Sequence, residues 1–341
     1  MISTRELAVL AGVSQSTVSR CLNDHPAISA ETKERVRTLA REKGYILQHK
    51  NKKVLFSAER KAIGILLTGQ PFFEDLFINH MMSTLYQVIC SENYYAMPLP
   101  DYTSENDGVE RLRDLVKLDI IKGFIIVNRK YDEKIHSYLD ELGIPHVYLL
   151  HCSRHSFKSI NVVDTDNYCG GYLGTRHLLM HGHREIVSLS CPWREFEDRT
   201  DGYIKALREF GVVANPEYVL CGDCTYEDGY SLVAENIRLF SRATAIYAQS
   251  DLMAFGAVNA LKDRDFRVPY DVSVIGSDGY DLGIMCRPQL DSVAHPVKEL
   301  AEEAVRQVLE LSGNIGKRMP RQTILQPYII HRGSVCERET N

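Results

Sequence analysis

The sequence predicts an all-α helix-turn-helix head followed by a two-lobed α/β body built on parallel sheets. Three observations carry this reading. Two short amphipathic stripes near the start are separated by a single glycine, short apolar runs alternate with helical stretches after residue 61, and that alternation begins again from about residue 160. The 341 residues, 44% hydrophobic and 25% charged, suffice for two or three domains with a substantial core. Charge is divided unevenly: residues 1–61 hold 12 Lys and Arg against six Asp and Glu, leaving 28 against 39 for the remainder. A basic head on an acidic body points to a polyanionic partner for the head alone.

In the head, Ser3 and Glu6 have capping-box spacing, and Leu7, Leu10 and Ala11 form an apolar stripe, so a helix is expected over 4–11 with Gly12 as its stop. Ser14 then caps a second helix, over about 14–23, whose stripe is Val18, Cys21 and Leu22. A third follows from Ser29, with Glu31 in its first turn, Val36, Leu39 and Ala40 at core spacing, and Gly44 as the stop. With its stripe turned inward, the second helix presents Gln15, Ser16, Ser19, Arg20 and Asn23 outward. Short hydroxyl and amide groups there can approach phosphates and base edges, and Arg20 is long enough to reach a guanine.

In the body, AIGILL, YYAMPL, GFIIV and HVYLL read as strands, with helices expected around 76–91, 108–117 and 132–142; EIVSLS, YVLCG, TAIYAQS and VSVIGSD continue the series. Alternation of this kind implies mainly parallel sheets covered on both faces, with ligands bound outside the carboxyl ends of the strands. No apolar run approaches the roughly 20 residues that span a bilayer, no secretory leader pattern opens the chain, and nine cysteines follow no disulfide framework. A cytoplasmic protein with reduced thiols and no membrane partner is expected. No glycine-rich phosphate loop or G-x-S-x-G elbow follows a strand, so neither a catalytic set nor a cofactor is expected. Cys221 and Cys224 in CGDC lack the second pair that a zinc site needs. His177, His181 and His183 in HLLMHGH are assigned to packing and capping, and no metal is expected.

TRELAVLAGVSQSTVSRCLN, ISAETKERV and GY together resemble the DNA-binding head of the lactose-repressor/galactose-repressor (LacI/GalR-type) family of bacterial transcription regulators, nearly continuously over residues 4–45. INVVDTDNYCGGYLGTRHLLMHGHREI, IYAQSDLMAFGAVNAL, VPYDVSVIGSDGYDLG and RPQLDSVAHPVKELAEEAVRQVL resemble later signatures of the same family, so the likeness covers almost the whole chain. The resemblance implies a helix-turn-helix domain over 1–46, a hinge or linker over 47–61, and a periplasmic-binding-protein-like effector and dimerisation domain over 62–341. Lobe 1 would hold about 62–161 and 293–322, and lobe 2 about 162–292 and 323–341, with all of TILQPYIIHRG in lobe 2. Position by position, Gln15, Ser16 and Arg20 fall on groove-reading sites, and Thr17, Ser19 and Asn23 on backbone-contacting or orienting ones. Phe72 and Phe73 align with the effector pocket, Arg199 with the effector-contacting arginine and Asp278 with the ligand-binding aspartate, placed to face each other across a cleft. His151, Trp193, Glu195, Cys224 and Ser250 occupy more variable pocket positions. At Cys224 an aromatic is common in the family, and Gly279 stands where a second aspartate is frequent.

The linker departs from the family pattern. Leu47 and Gln48 stand where Pro-Asn is usual, and a basic stretch over 49–53 replaces small residues, leaving Val54 or Leu55 as candidates for a minor-groove wedge. The resulting expectation is a homodimeric regulator that binds a pseudo-palindromic double-stranded operator, represses a carbohydrate-related operon and responds to a sugar-like effector. The alternative is a cytosolic small-molecule sensor whose head no longer reads DNA.

Overall fold

The apolar stripes of the first 42 residues close on one another into a three-helix unit: α1 (Thr4–Ala11), α2 (Gln15–Leu22) and α3 (Ala30–Glu42). The computed structural model describes residues 4–22, 25, 28–42, 61–67, 76–100, 107–117, 120–127, 132–150, 159–313 and 319–338. The chain divides into two units, residues 1–59 and residues 60–341. In the first, Leu7, Ala8, Ala11, Val18, Cys21, Val36 and Ala40 form the core. Leu10, expected there, is 51% exposed, and Ala8 takes its place. In so short a helix either neighbouring stripe is open, and the stripe through Leu7, Ala8 and Ala11 is the one that meets α2 and α3. Gly12, at φ +64°, makes the turn between α1 and α2 in a conformation that a side chain disfavours. Ser14 Oγ accepts from the Thr17 amide at 3.1 Å and Ser29 Oγ from the Thr32 amide at 3.3 Å, capping α2 and α3 as expected. Ser3, Asn23, Gly44 and the wedge candidates Val54 and Leu55 lie outside the described residues.

The second unit begins with β1 (Ala62–Leu67), α4 (Leu76–Ser91), β2 (Tyr95–Pro100), α5 (Gly108–Val116), β3 (Ile121–Val127), α6 (Glu133–Glu141), β4 (His146–Leu149) and β5 (Val162–Thr165). It continues through α7 (Asn167–Met180), β6 (Ile186–Ser190), α8 (Arg194–Glu209), β7 (Val219–Cys221), α9 (Tyr226–Glu235), β8 (Ala245–Ala248), α10 (Asp251–Lys262), β9 (Ser273–Asp278) and β10 (Asp291–Ala294). The last elements are α11 (Val297–Gly313), β11 (Gln322–Leu325) and β12 (Tyr328–Ile330). One six-stranded sheet has the order β11-β5-β4-β3-β1-β2 and is wholly parallel. The other has the order β12-β10-β9-β8-β6-β7, parallel except for the antiparallel edge strand β12. Strands such as β1 and β8 are buried along their whole length, as strands covered on both faces must be.

The sheets correct three expected lobe boundaries. β5 belongs to the first sheet, because the Val162 amide donates to Arg321 O at 2.9 Å and the Tyr148 amide to Asn161 O at 2.9 Å, tying it between β11 and β4. β10 ends at Ala294 in the second sheet, and α11 then packs Val297, Leu300, Ala304 and Val308 onto the first. The segment expected as a single strand of lobe 2 divides: β11 pairs with β5, whereas β12 pairs with β10. Pro327, lacking an amide donor, stands where the chain leaves one sheet for the other. The chain therefore crosses between sheets near residues 166, 295 and 327.

Two glycines bring α7 and α8 together. A Cβ on Gly171 would meet the Arg199 carbonyl, and one on Gly202 the Tyr168 carbonyl. Backbone thus approaches backbone, which sets the first turn of α7 beside the middle of α8. Gly171→Ala is expected to lower stability by about 1–3 kcal/mol, measured by urea denaturation; an unchanged midpoint would show that the two helices can part without loss.

Candidate functional site

Two sets of side chains form organised polar groups, one in each unit. On α2, Val18 and Cys21 are fully buried, which turns Gln15, Ser16, Ser19 and Arg20 outward and leaves Thr17 half-buried. Ser14 Oγ lies 2.8 Å from both Ser16 Oγ and Thr17 Oγ1, so the first turn of α2 is a small hydroxyl network held by its own cap. Its outer face is polar and short, with Arg20 as its one long cation. Asn23, expected on the same face, lies outside the described residues.

The second set gathers at the carboxyl ends of the second sheet. Arg199, on α8, is 6% exposed. Its Nε donates to Asn167 Oδ1 at 2.9 Å, its Nη1 to the Gln249 carbonyl, and its Nη2 to His295 Nε2 at 3.2 Å. Its guanidinium carbon stands 4.7 Å from the centre of the Phe196 ring. Burial alone would weaken this charge, but Asp278, Tyr247 and Glu195 more than offset it, and the group is held above the ordinary arginine range.

Because an arginine can only donate, His295 Nε2 must accept, which leaves the proton on Nδ1 to donate to Thr165 Oγ1 at 3.1 Å. The ring is then neutral, in accord with burial and the adjacent Arg199 pushing its pKa well down. His295 also meets the Phe77 ring edge-on at 5.2 Å, so this one imidazole touches elements of both sheets.

Asp278 ends β9 at φ +128°, a strained conformation for a residue with a side chain. Its Oδ2 accepts from the Asp251 amide at 3.1 Å, and its Oδ1 stands 3.9 Å from His295 Nε2. Burial, followed by the nearby Asp251 charge, raises the Asp278 carboxyl well above the usual range. Arg199 and Asp278, expected across the cleft from each other, therefore both come from the second lobe; the crossover residue His295 lies between them.

The remaining expected pocket residues divide. Trp193 precedes α8 and meets Phe196 edge-on at 5.7 Å, while Glu195, half-buried in the first turn, lies near enough to support the Arg199 charge. Cys224, at φ +67°, lies against Cys191, whose thiol this contact and burial push up. Ser250 is buried and uses its hydroxyl to cap α10, accepting from the Met253 amide at 3.4 Å. Phe72, Phe73 and His151 lie outside the described residues.

Four members of this network were not expected: Asn167, Gln249, Asp251 and His295. Gln249 Nε2 donates to Ser188 Oγ at 3.1 Å and to Thr200 Oγ1 at 2.9 Å, which positions the backbone carbonyl that receives Arg199. Asp251 accepts from the Ser292 hydroxyl at 2.7 Å and the Tyr280 amide at 2.8 Å. A signal was available, since Gln249 and His295 directly follow strands and Asn167 and Asp251 come shortly after one, where parallel sheets place ligand groups.

Residues 4–48 match the family model of bacterial regulatory proteins of the lacI family, and residues 175–335 that of a periplasmic binding protein-like domain. The transcriptional regulator MalR of Clostridium butyricum is 29% identical, over 98% of this chain and 99% of its own length. The transcriptional repressor CytR of Escherichia coli K12 is 28% identical, over 90% and 88%. Among solved structures, a complex of the transcriptional regulator CelR with cellobiose shares 25% identity, covers 98% of this chain and 100% of its own, and has a TM-score of 0.69. The lac repressor dimer bound to operator and an anti-inducer shares the fold, with 21% identity, coverage of 98% and 99%, and a TM-score of 0.70.

Burial raises the Asp251 carboxyl to about 6, against the pull of its hydrogen bonds from Ser292 and Tyr280. Its unfolded value is about 3.9, so as pH rises the unfolded chain loses this proton first. The stability that protonated Asp251 contributes is full below about 4 and is lost as pH climbs through about 6. Asp251→Asn is expected to gain stability relative to the unchanged protein over that interval, measured by urea unfolding at successive pH values. A constant difference between the two proteins would refute the raised carboxyl.

Proposed function

The chain belongs to the lacI family of bacterial regulatory proteins, and from that premise we propose that it is a sequence-specific DNA-binding transcription regulator that represses a carbohydrate uptake or catabolism operon under the control of a sugar-like effector. The observation that carries this reading is one chain joining an outward polar face on α2 to a network of Arg199, Asp278 and His295 at the carboxyl ends of a parallel sheet. The guanidinium is a fork of donors and the carboxylate an acceptor, a combination suited to adjacent hydroxyls. Glu195 and Trp193 add a further acceptor and an apolar face.

One short recognition helix reads only a few base pairs, so two copies acting on two half-sites supply the needed length, which accounts for a homodimer on a pseudo-palindromic operator. Double-stranded DNA, the effector and a second copy are the partners in this reading. The three chain crossings offer the physical link: an effector that engages Arg199 and Asp278 bears on His295, which also touches Thr165 and Phe77 of the first lobe. A coupling of about 1–3 kcal/mol shifts operator affinity roughly 5- to 150-fold. Family members are transcription regulators rather than enzymes, and a cytoplasmic setting suits one. Among the described residues no helix is long and apolar enough to cross a membrane. The sensor with a degenerate head is not favoured, because α2 keeps its cap, its core and its polar face.

Selection of bound genomic fragments at near-physiological salt is expected to yield a shared pseudo-palindrome. Arg20→Ala should weaken binding to it by about 1–3 kcal/mol while relaxing preference at one base position. Binding blind to sequence in both proteins would return the sensor reading. Asp278→Asn, which keeps a residue tolerant of positive φ, should retain operator binding and lose the response to sugars in a mobility-shift titration. An unchanged sugar response would remove Asp278 from the effector site.

A further inference from the structure

A second polar cluster sits at the opposite end of the same sheet. Asp291 is the first residue of β10, opposite Ile275, whereas Asp278 lies opposite Ala294, three residues or about 10 Å further along. His177 from α7, Asp291 from β10 and His331 just after β12 each direct one donor atom to a common point, all within 4.8 Å of one another. His177 Nε2 stands 3.4 Å from Asp291 Oδ2, and His331 Nδ1 stands 3.9 Å from the same oxygen.

The three histidines of HLLMHGH are not equivalent. His181 Nδ1 bonds the His177 carbonyl at 2.8 Å, and His183 engages Thr244 Oγ1 at 2.9 Å and the Cys336 carbonyl at 3.1 Å. His177 is 8% exposed, yet its Nε2 makes no well-directed hydrogen bond. Its only near partner is the Asp291 Oδ2 at 3.4 Å, a long and poorly directed contact that leaves the buried nitrogen weakly held. Asp291 is already oriented: its Oδ1 accepts from the backbone amides of Arg332, Gly333 and Ser334 at 3.0, 2.6 and 2.8 Å, leaving Oδ2 to face the two rings.

We propose that His177, Asp291 and His331 bind a divalent transition-metal ion. Ligands at about 2.1 Å from a tetrahedral metal lie about 3.4 Å apart, the separation already present between His177 and Asp291. The three ligand atoms lie up to 4.8 Å apart, so His331, with 69% of its side chain exposed, completes the set by turning inward by roughly 1 Å. Two imidazoles and one carboxylate suit zinc, cobalt, nickel or iron(II); calcium and magnesium prefer oxygen alone. The three backbone donors on Oδ1 are the outer support that such sites require. The ion would tie α7 to β10 and the segment after β12, at the far end of the helix whose Asn167 holds Arg199.

The test uses the full chain, freed of metal by chelation and titrated with Co²⁺ under reducing conditions by equilibrium dialysis and visible absorption. One equivalent should bind with the weak bands of nitrogen and oxygen coordination, and His331→Ala, folded by circular dichroism, should bind it about tenfold or more weakly. Equal binding by the two proteins, no binding by either, or an intense thiolate charge-transfer band from the cysteines would overturn the proposal.

Discussion

Arg199 carries a full positive charge inside the second lobe, where an ion without partners would cost several kcal/mol. Much of the surrounding structure is arranged around that requirement. Asn167 begins α7, the Gln249 carbonyl ends the turn after β8, and His295 follows β10; each places an acceptor on a different guanidinium nitrogen. Phe196 covers the face of the group, and Asp278 and Glu195 balance its charge. A single cation thus sets where one helix starts, how two strands terminate and what the crossing segment must carry.

The arrangement also explains why polar residues dense enough to unfold an ordinary core are tolerated here. Asp251 and Asp278 are buried close together, and burial raises both carboxyls. Amides of Asp251 and Tyr280 and the hydroxyl of Ser292 occupy their oxygens. What remains is a preorganised set of donors and acceptors whose shape precedes any ligand, because ordered backbone holds it. The close glycine contact between α7 and α8 keeps Asn167 and Arg199 in register, so helix packing and the polar network are one problem.

The head was the most legible part of the chain. Its caps, glycine turn and three helices are local features, and the polar face of α2 follows once Val18 and Cys21 turn inward. Leu10 was misplaced because a two-turn helix leaves two stripes open, and only the packing of α2 and α3 chooses between them. In the body, alternation of strands and helices was readable, but sheet membership was not. β5, β11 and β12 are three or four residues each, and their partners lie far away in sequence. The family resemblance marked Arg199 and Asp278 as candidate site residues and put both in lobe 2, whereas the imidazole between them and the roles of Asn167, Gln249 and His295 were not readable.

The sequence by itself determined the local and periodic features: an amphipathic head with an exposed polar helix and two successive α/β series. These depend on neighbours within a few residues, which is the range over which caps, turns and hydrophobic periodicity act. Tertiary structure alone decided which strands share a sheet, that one imidazole touches both lobes, and that His177, Asp291 and His331 converge. Those juxtapositions join residues tens to more than a hundred positions apart, and they exist only once backbone hydrogen bonds and close helix packing have closed the chain on itself.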